Sequence, residues 1–207
     1  KASTRRPERQ YATRMAFANY VANQSREYVR RWPGIRVGSP EPARLVSINT
    51  GKAQRGFRFC QLCGFAAPVA VGKQPGPEHS RPSGGTCRGE ISFGVDIGHD
   101  FITDVLELRL YSSHIRAHTE WWSVAYAIVE GAANSLGIRR EDLDVAVRLA
   151  TDGGHSVFIF DSVPGGAGHV VRIAEHLPLV LHKALERVTS CSCEESTSCY
   201  ECLRTFG

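Results

Sequence analysis

The chain has 207 residues, 42% of them hydrophobic and 22% charged, enough to bury a core in one domain, or one domain with a small appendage, without disulfide staples. Twenty-five Lys and Arg against 21 Asp and Glu leave a net charge of +4, too mild to name a class of partner before its distribution is known. No apolar run nears the roughly 20 residues of a membrane-spanning helix, and no charged-then-apolar leader follows Lys1, so the sequence reads as a piece of a longer cytoplasmic protein.

Residues 1–38 hold nine basic side chains against two acidic ones, a local +7 that leaves the rest of the chain at −3. Between Pro7 and the stop at Trp32-Pro33-Gly34, the residues Tyr11, Met15 and Tyr20 and an Arg-rich face predict one long basic helix. Arg5, Arg6, Arg9 and Arg14 would line one side of it, with Arg30 and Arg31 at its far end. Such guanidinium groups bridge phosphates without reading bases. A solvated helix that packs one stripe on a neighbour explains the same residues, and both readings stay open.

Residues 39–98 are rich in Gly, Pro and Ser, with short strand-like pieces at Arg44 to Ile48 and Phe57 to Phe59. So many turn residues cannot build a large core, so a zinc-ribbon-like insertion is expected, held by something other than apolar burial. Residues 99–189 read as an α+β core with a mixed sheet and packed helices. The end of Phe101 to Leu110 alternates apolar and charged residues, the mark of a half-buried strand. Glu120 to Leu136 has helical spacing closed by Gly137. Leu143 to Leu149 alternates again, Val157 to Phe160 is a short buried strand, and a helix from His169 to Val188 is kinked or split by Pro178. Residues 190–207 form a cysteine-rich knuckle.

Seven cysteines carry the strongest chemical signal. Close pairs are poor at internal disulfides but suit a metal, since a tight turn aims two thiolates at one ion; a reducing compartment and zinc follow. Cys191, Cys193, Cys199 and Cys202 close a tetrahedral shell with no open position, which makes that site structural. Cys60, Cys63 and Gly64 form a second knuckle that Cys87 joins, and a complete site needs one more ligand. His79, in a polar loop with no packing reason to contain imidazole, is the choice, with His99 as the alternative. Two zinc ions per chain are expected.

The segment from Asp161 to His169, with Gly165, Gly166 and Gly168, follows a strand and opens a helix, where backbone N–H groups favour an anion. It lacks the Gly-Lys-Ser/Thr of a nucleotide-binding loop, and a tightly packed strand-to-helix turn accounts for the same glycines. His99, Asp100, Asp104, Asp161 and His169 would serve a hydrolytic metal site if their elements met, though nothing in their spacing demands it. His114 and His118 lack the adjacent glutamate of a zincin helix and read as surface residues.

Gly56 to Gly64, Gly98 to Leu106, Asp161 to His169, Cys191-Ser192-Cys193 and Ser198 to Arg204 together resemble the MrfA-type zinc-binding (MZB) domain over roughly Gly51 to Arg204. That domain lies at the C-terminus of MrfA-like superfamily 2 DNA helicases and in DrmB, a component of the DISARM anti-phage system. The resemblance implies a zinc-stabilised module of DNA-processing machinery, in repair or phage defence, with Cys191, Cys193, Cys199 and Cys202 as metal ligands. The extra knuckle at Cys60 and Cys63 is similar to the DrmB-like branch. The chain carries no helicase motif, so ATP hydrolysis would belong to another part of the parent protein or to a partner. A non-catalytic accessory domain that contacts DNA or a superfamily 2 helicase, in the same chain or as a separate subunit, is the leading reading. A metal-dependent nuclease or hydrolase using His99, Asp104, Asp161 and His169 is the second, and a protein–protein adaptor the third.

Overall fold

The computed structural model describes residues 13–17, 28–70, 78–112, 115, 118–150, 153–193 and 202–203. In chain order the strands are β1 (Thr13–Phe17), β2 (Tyr28–Trp32), β3 (Ile35–Gly38), β4 (Glu41–Asn49), β5 (Phe57–Cys60), β6 (Ala66–Pro68), β7 (His79–Ser80), β8 (Thr86–Cys87), β9 (Ile91–Val95) and β10 (Ile97–Leu110). Helix α1 (His118–Leu136), strands β11 (Leu143–Leu149) and β12 (His155–Asp161), and helices α2 (His169–Glu175) and α3 (Leu177–Thr189) complete an α+β fold.

Two units divide the chain, one of Lys1–Ala18 with Leu45–Asp100, the other of Asn19–Arg44 with Phe101–Gly207. In the first, β1 pairs antiparallel with β4 from Thr13 opposite Asn49 to Phe17 opposite Leu45. Strand β5 lies between β6 and β9 in a three-stranded sheet, and β7 and β8 form a separate hairpin.

In the second unit β2, β3, β10, β12 and β11 lie side by side, all antiparallel. Period-two alternation places Leu106, Leu108 and Leu110 of β10, Val145 and Val147 of β11, and Val157 and Ile159 of β12 on one face. There they pack with Trp121, Ala125, Ile128, Val129 and Ala132 of α1 and Val170, Ile173, Leu177 and Val180 of α2 and α3. The alternation predicts a half-buried strand, yet Glu107, one of its charged positions, is fully buried. Its face of the sheet also carries buried Val105, Phe158 and Phe160, so the carboxylate is satisfied internally, accepting from Ser156 Oγ at 2.6 Å and from Arg109 Nη2 at 3.2 Å.

The long basic helix expected between Pro7 and Trp32 is not formed. Residues 13–17 and 28–32 are strands, and the segment 19–44 belongs with the later unit because β3 pairs with β10, Val37 opposite Leu108. Tyr28, Val29 and Trp32 are aromatic or β-branched and favour a pleated strand. Pro33 and Gly34, with φ of 75° at Gly34, turn the chain into a hairpin in which Trp32 pairs with Ile35, where a helix stop was expected. Arg30 and Arg31 are therefore successive strand residues, and Arg14 lies in β1. Arg5, Arg6 and Arg9 fall outside the described residues.

Pro178 does split the last helical stretch. Residue His176 leaves helical geometry, and the proline sits in the first turn of α3, where its missing N–H leaves no hydrogen bond unmade. Helix α3 then crosses α1 at Gly131, so closely that a Cβ there would overlap the Val180 carbonyl oxygen and lie 2.9 Å from Ala184 Cβ. Gly131→Val should lower unfolding free energy by about 3 kcal/mol, the range of severe overpacking. Urea denaturation checks it, and unchanged stability would contradict this crossing.

Candidate metal centres

Residues Cys60 to Phe65 make a tight turn in which Gly64 N–H donates to the Cys60 carbonyl and Cys60 N–H to that of Phe65, each at 2.9 Å. Gly64 takes a φ of 74°, which a residue with a Cβ adopts only with strain. The turn brings Cys60 and Cys63 beside the β7–β8 hairpin, whose register sets His79 opposite Cys87. One ligand atom from each of Cys60, Cys63, His79 and Cys87 lies within 4.8 Å of all the others, and Cys63 Sγ is 3.2 Å from His79 Nε2. Phe65 packs on the His79 ring at 4.9 Å between centroids and orients the imidazole. His99, the alternative ligand, is exposed on β10 and is not in this group.

The donor chemistry suits zinc. A tetrahedral ion with Zn–S near 2.3 Å sets sulfurs about 3.8 Å apart, and three thiols with an imidazole at these separations match that shell. Gly89 N–H donates to Cys87 Sγ at 3.3 Å, a backbone contact that stabilises thiolate; this bond, with Cys63, Cys60 and His79 nearby, lowers the Cys87 thiol to about 7. Burial pushes Cys63 the other way, reinforced by Cys60 and Cys87. Protein groups alone thus favour thiolate at one position and oppose it at its neighbour, a conflict that a divalent cation resolves.

At the C-terminus Cys191, Cys193 and Cys202 form the second group, with Cys191 and Cys193 sulfurs 3.4 Å apart and Cys193 and Cys202 3.7 Å apart. Cys199 lies outside the described residues. The group follows the end of α3 directly, and Arg187 Nε donates to the Cys202 carbonyl at 3.4 Å. The six described cysteines are all free of disulfides.

The glycine loop after β12 holds an anion, and the anion is the chain's own. Fully buried Asp161 accepts N–H bonds from Ala167 at 2.5 Å and from His169 and Val170 at 3.2 Å, occupying the start of α2. Thr103 Oγ1 donates to the carbonyls of Asp161 and Val163 at 2.8 and 3.0 Å, and a Cβ on Gly166 would meet the Asp104 carboxylate. Thr103 gave no signal in the sequence, because a lone threonine in a strand reads as ordinary β-propensity. His169 Nε2 lies 4.0 Å from Asp142. Among the described residues, His99, Asp104, Asp161 and His169 do not assemble into a group of three metal-ligand atoms. His114 lies outside the described residues, and His118 is the first residue of α1.

An α+β module with two cysteine-rich clusters compatible with zinc is the class these features define. Residues 124–203 match the MZB family, the MrfA Zn-binding domain, so the resemblance read from the motifs stands for that stretch. Among curated proteins, the Druantia protein DruE of Escherichia coli (strain UMEA 4076-1) is 28% identical over 194 residues, covering 79% of this chain. The crystal structure of DUF1998 helicase MrfA bound to DNA covers 94% of this chain at a TM-score of 0.56 and 10% identity, which shows a shared fold. The chain spans 10% of the DruE relative and 22% of that MrfA chain.

Asp161→Ala removes three hydrogen bonds to a carboxylate and should cost about 3 kcal/mol of stability, as loss of a helix cap and its charged acceptor together would. Zinc content should not change. Guanidinium denaturation with metal analysis checks both, and loss of zinc without loss of stability would contradict the capping role.

Proposed function

We propose that this chain is a non-catalytic, zinc-stabilised accessory module of a DNA-processing, helicase-associated system, in DNA repair or phage defence of the DISARM type. Two zinc ions fill it, one on Cys60, Cys63, His79 and Cys87, the other on Cys191, Cys193, Cys199 and Cys202. The carrying observation is the convergence of three thiols and an imidazole within 4.8 Å in a segment with little apolar core. Four protein donors leave no open position for a reacting water, so both ions are structural. The likeness of residues 124–203 to the MrfA Zn-binding domain and of the chain to the Druantia protein DruE supports an accessory module, and its proposed partner is a superfamily 2 helicase, in the same polypeptide or as a separate subunit. Arg5, Arg6, Arg9, Arg14, Arg30 and Arg31 supply the basic N-terminal segment for non-specific DNA contact.

Metal analysis should return two zinc ions per chain. Cys60→Ser and Cys193→Ser should each remove one and leave the other. Structural zinc contributes on the order of 10–16 kcal/mol of apparent binding energy in small fingers, so Cys60→Ser should also raise hydrogen exchange across Phe57–Val95 while α1 stays protected. One zinc or none in the unaltered protein overturns the two-ion assignment.

Replacing Arg5, Arg6, Arg9 and Arg14 together by Ser tests the DNA contact. Weaker binding and a log–log salt slope shallower by about three to four are expected, because each guanidinium that neutralises a phosphate releases about one counterion. An unchanged slope would make the basic segment an interface with protein.

A further inference from the structure

Leu62 stands at the tip of the first cysteine knuckle with 74% of its surface exposed, the most open large apolar side chain among the described residues. Its position is set by the knuckle: Cys60 and Cys63 turn inward, and the two residues between them are left outside. Gly89 lies directly beneath, where a Cβ would come within 3.0 Å of Leu62 Cβ and 2.8 Å of Cys60 Sγ. Beside this tip is an open cavity lined by Leu62, Glu78, Arg81, Thr86, Arg88 and Gly89.

Hairpin register explains why charge collects there. His79 and Cys87 are opposite each other and belong to the ligand group, so the alternate positions Glu78, Ser80, Thr86 and Arg88 fall on the other side of the hairpin. Arg88 pairs with Glu78 at 2.9 Å, but the two side chains are 82% and 59% exposed, so the pair is well solvated and readily exchanged for a stronger anion. From Lys52 to Glu90 the sequence holds six basic residues and two acidic ones, a local +4.

We propose that the Leu62 tip with Arg81 and Arg88 is a second nucleic-acid contact, in which the guanidinium groups take backbone phosphates and Leu62 packs against a sugar or base. The pairing of an apolar tip with two arginines fits a strand that offers a phosphate and an apolar ring face at each nucleotide. The inference rests on the DNA-contacting reading above, and it places the contact on a surface separate from Arg5, Arg6, Arg9 and Arg14.

The test uses the zinc-loaded chain and a short mixed-sequence DNA, as single strand and as duplex, titrated by fluorescence anisotropy over a range of salt. Arg81→Gln with Arg88→Gln should weaken binding at least about tenfold and make the salt slope shallower by about two. Leu62→Ala should weaken binding with the slope unchanged. Glu78→Gln frees Arg88 and should tighten binding, which loss of a merely structural ion pair would not do. Metal content identical to the unaltered protein shows that the fold is kept. If the unaltered chain binds DNA and these variants bind it equally well, the tip is no contact and the module reading stands; if the unaltered chain binds no DNA, that reading itself fails. Retained DNA affinity together with loss of binding to a helicase chain would assign the patch to an acidic protein surface and overturn the proposal.

Discussion

The C-terminal thiol cluster depends on one close approach, the backbone of α3 against Gly131 of α1. Among the described residues of its segment, Cys202 is the one buried apolar side chain. The cluster follows α3 directly and is tied back by Arg187 to the Cys202 carbonyl. Helix α3 is in turn aimed by the junction that precedes it: Asp161 fixes the start of α2, His176 breaks the helix, and Pro178 restarts it. Removing space at Gly131 therefore shifts the platform on which Cys191 and Cys193 stand, because close-packed interiors transmit such displacements.

The unit around Cys60 is built on a different balance. Its described buried apolar residues are few, Leu45, Phe57, Cys60 and Cys87, whereas the other unit packs a continuous layer between sheet and helices. Two of those four are thiols in the ligand group. Turn chemistry supplies the geometry, with Gly56 at a φ of 70° so close to Gly94 that a Cβ would lie 2.6 Å from its carbonyl carbon. Such a segment has too little apolar burial to offset the entropy of ordering its turns, so a bound cation would act as its core.

Much of this was legible in the sequence, and the reasons differ by element. Helix α1 and strands β10 to β12 follow from periodicity because they bury one regular face. His79 could be picked out because an imidazole in a loop of Gly, Pro and charged residues has no core to fill. The N-terminal strands were missed because arginine is a good helix former and hides the strand preference of Tyr28, Val29 and Trp32, while Pro33-Gly34 serves equally as helix stop and hairpin turn. Partners distant in sequence were beyond reach as well. Nothing local shows that Glu107 meets Ser156, or that the anion favoured by the glycine loop is Asp161 itself.

Those two carboxylates also change how the charge balance reads. Residues 91–207 carry a net −7, which taken as a uniform field would repel a polyanion. Several of the acids are engaged within the fold: Glu107 is buried with Ser156 and Arg109, Asp161 caps α2, and Glu130 pairs with Arg140 at 3.2 Å. Asp142 is bound by Arg139 at 2.8 Å, and that hydrogen bond holds its carboxyl below the usual range. Arg88 differs in kind, since it is 82% exposed and Glu78 beside it is exposed too. At a Debye length of about 8 Å in physiological salt, a phosphate responds to the charges it touches more than to the sum over the chain. The net +4 of the whole protein therefore understates the attraction available at 1–38 and 52–90, the two stretches where basic residues outnumber acidic ones most.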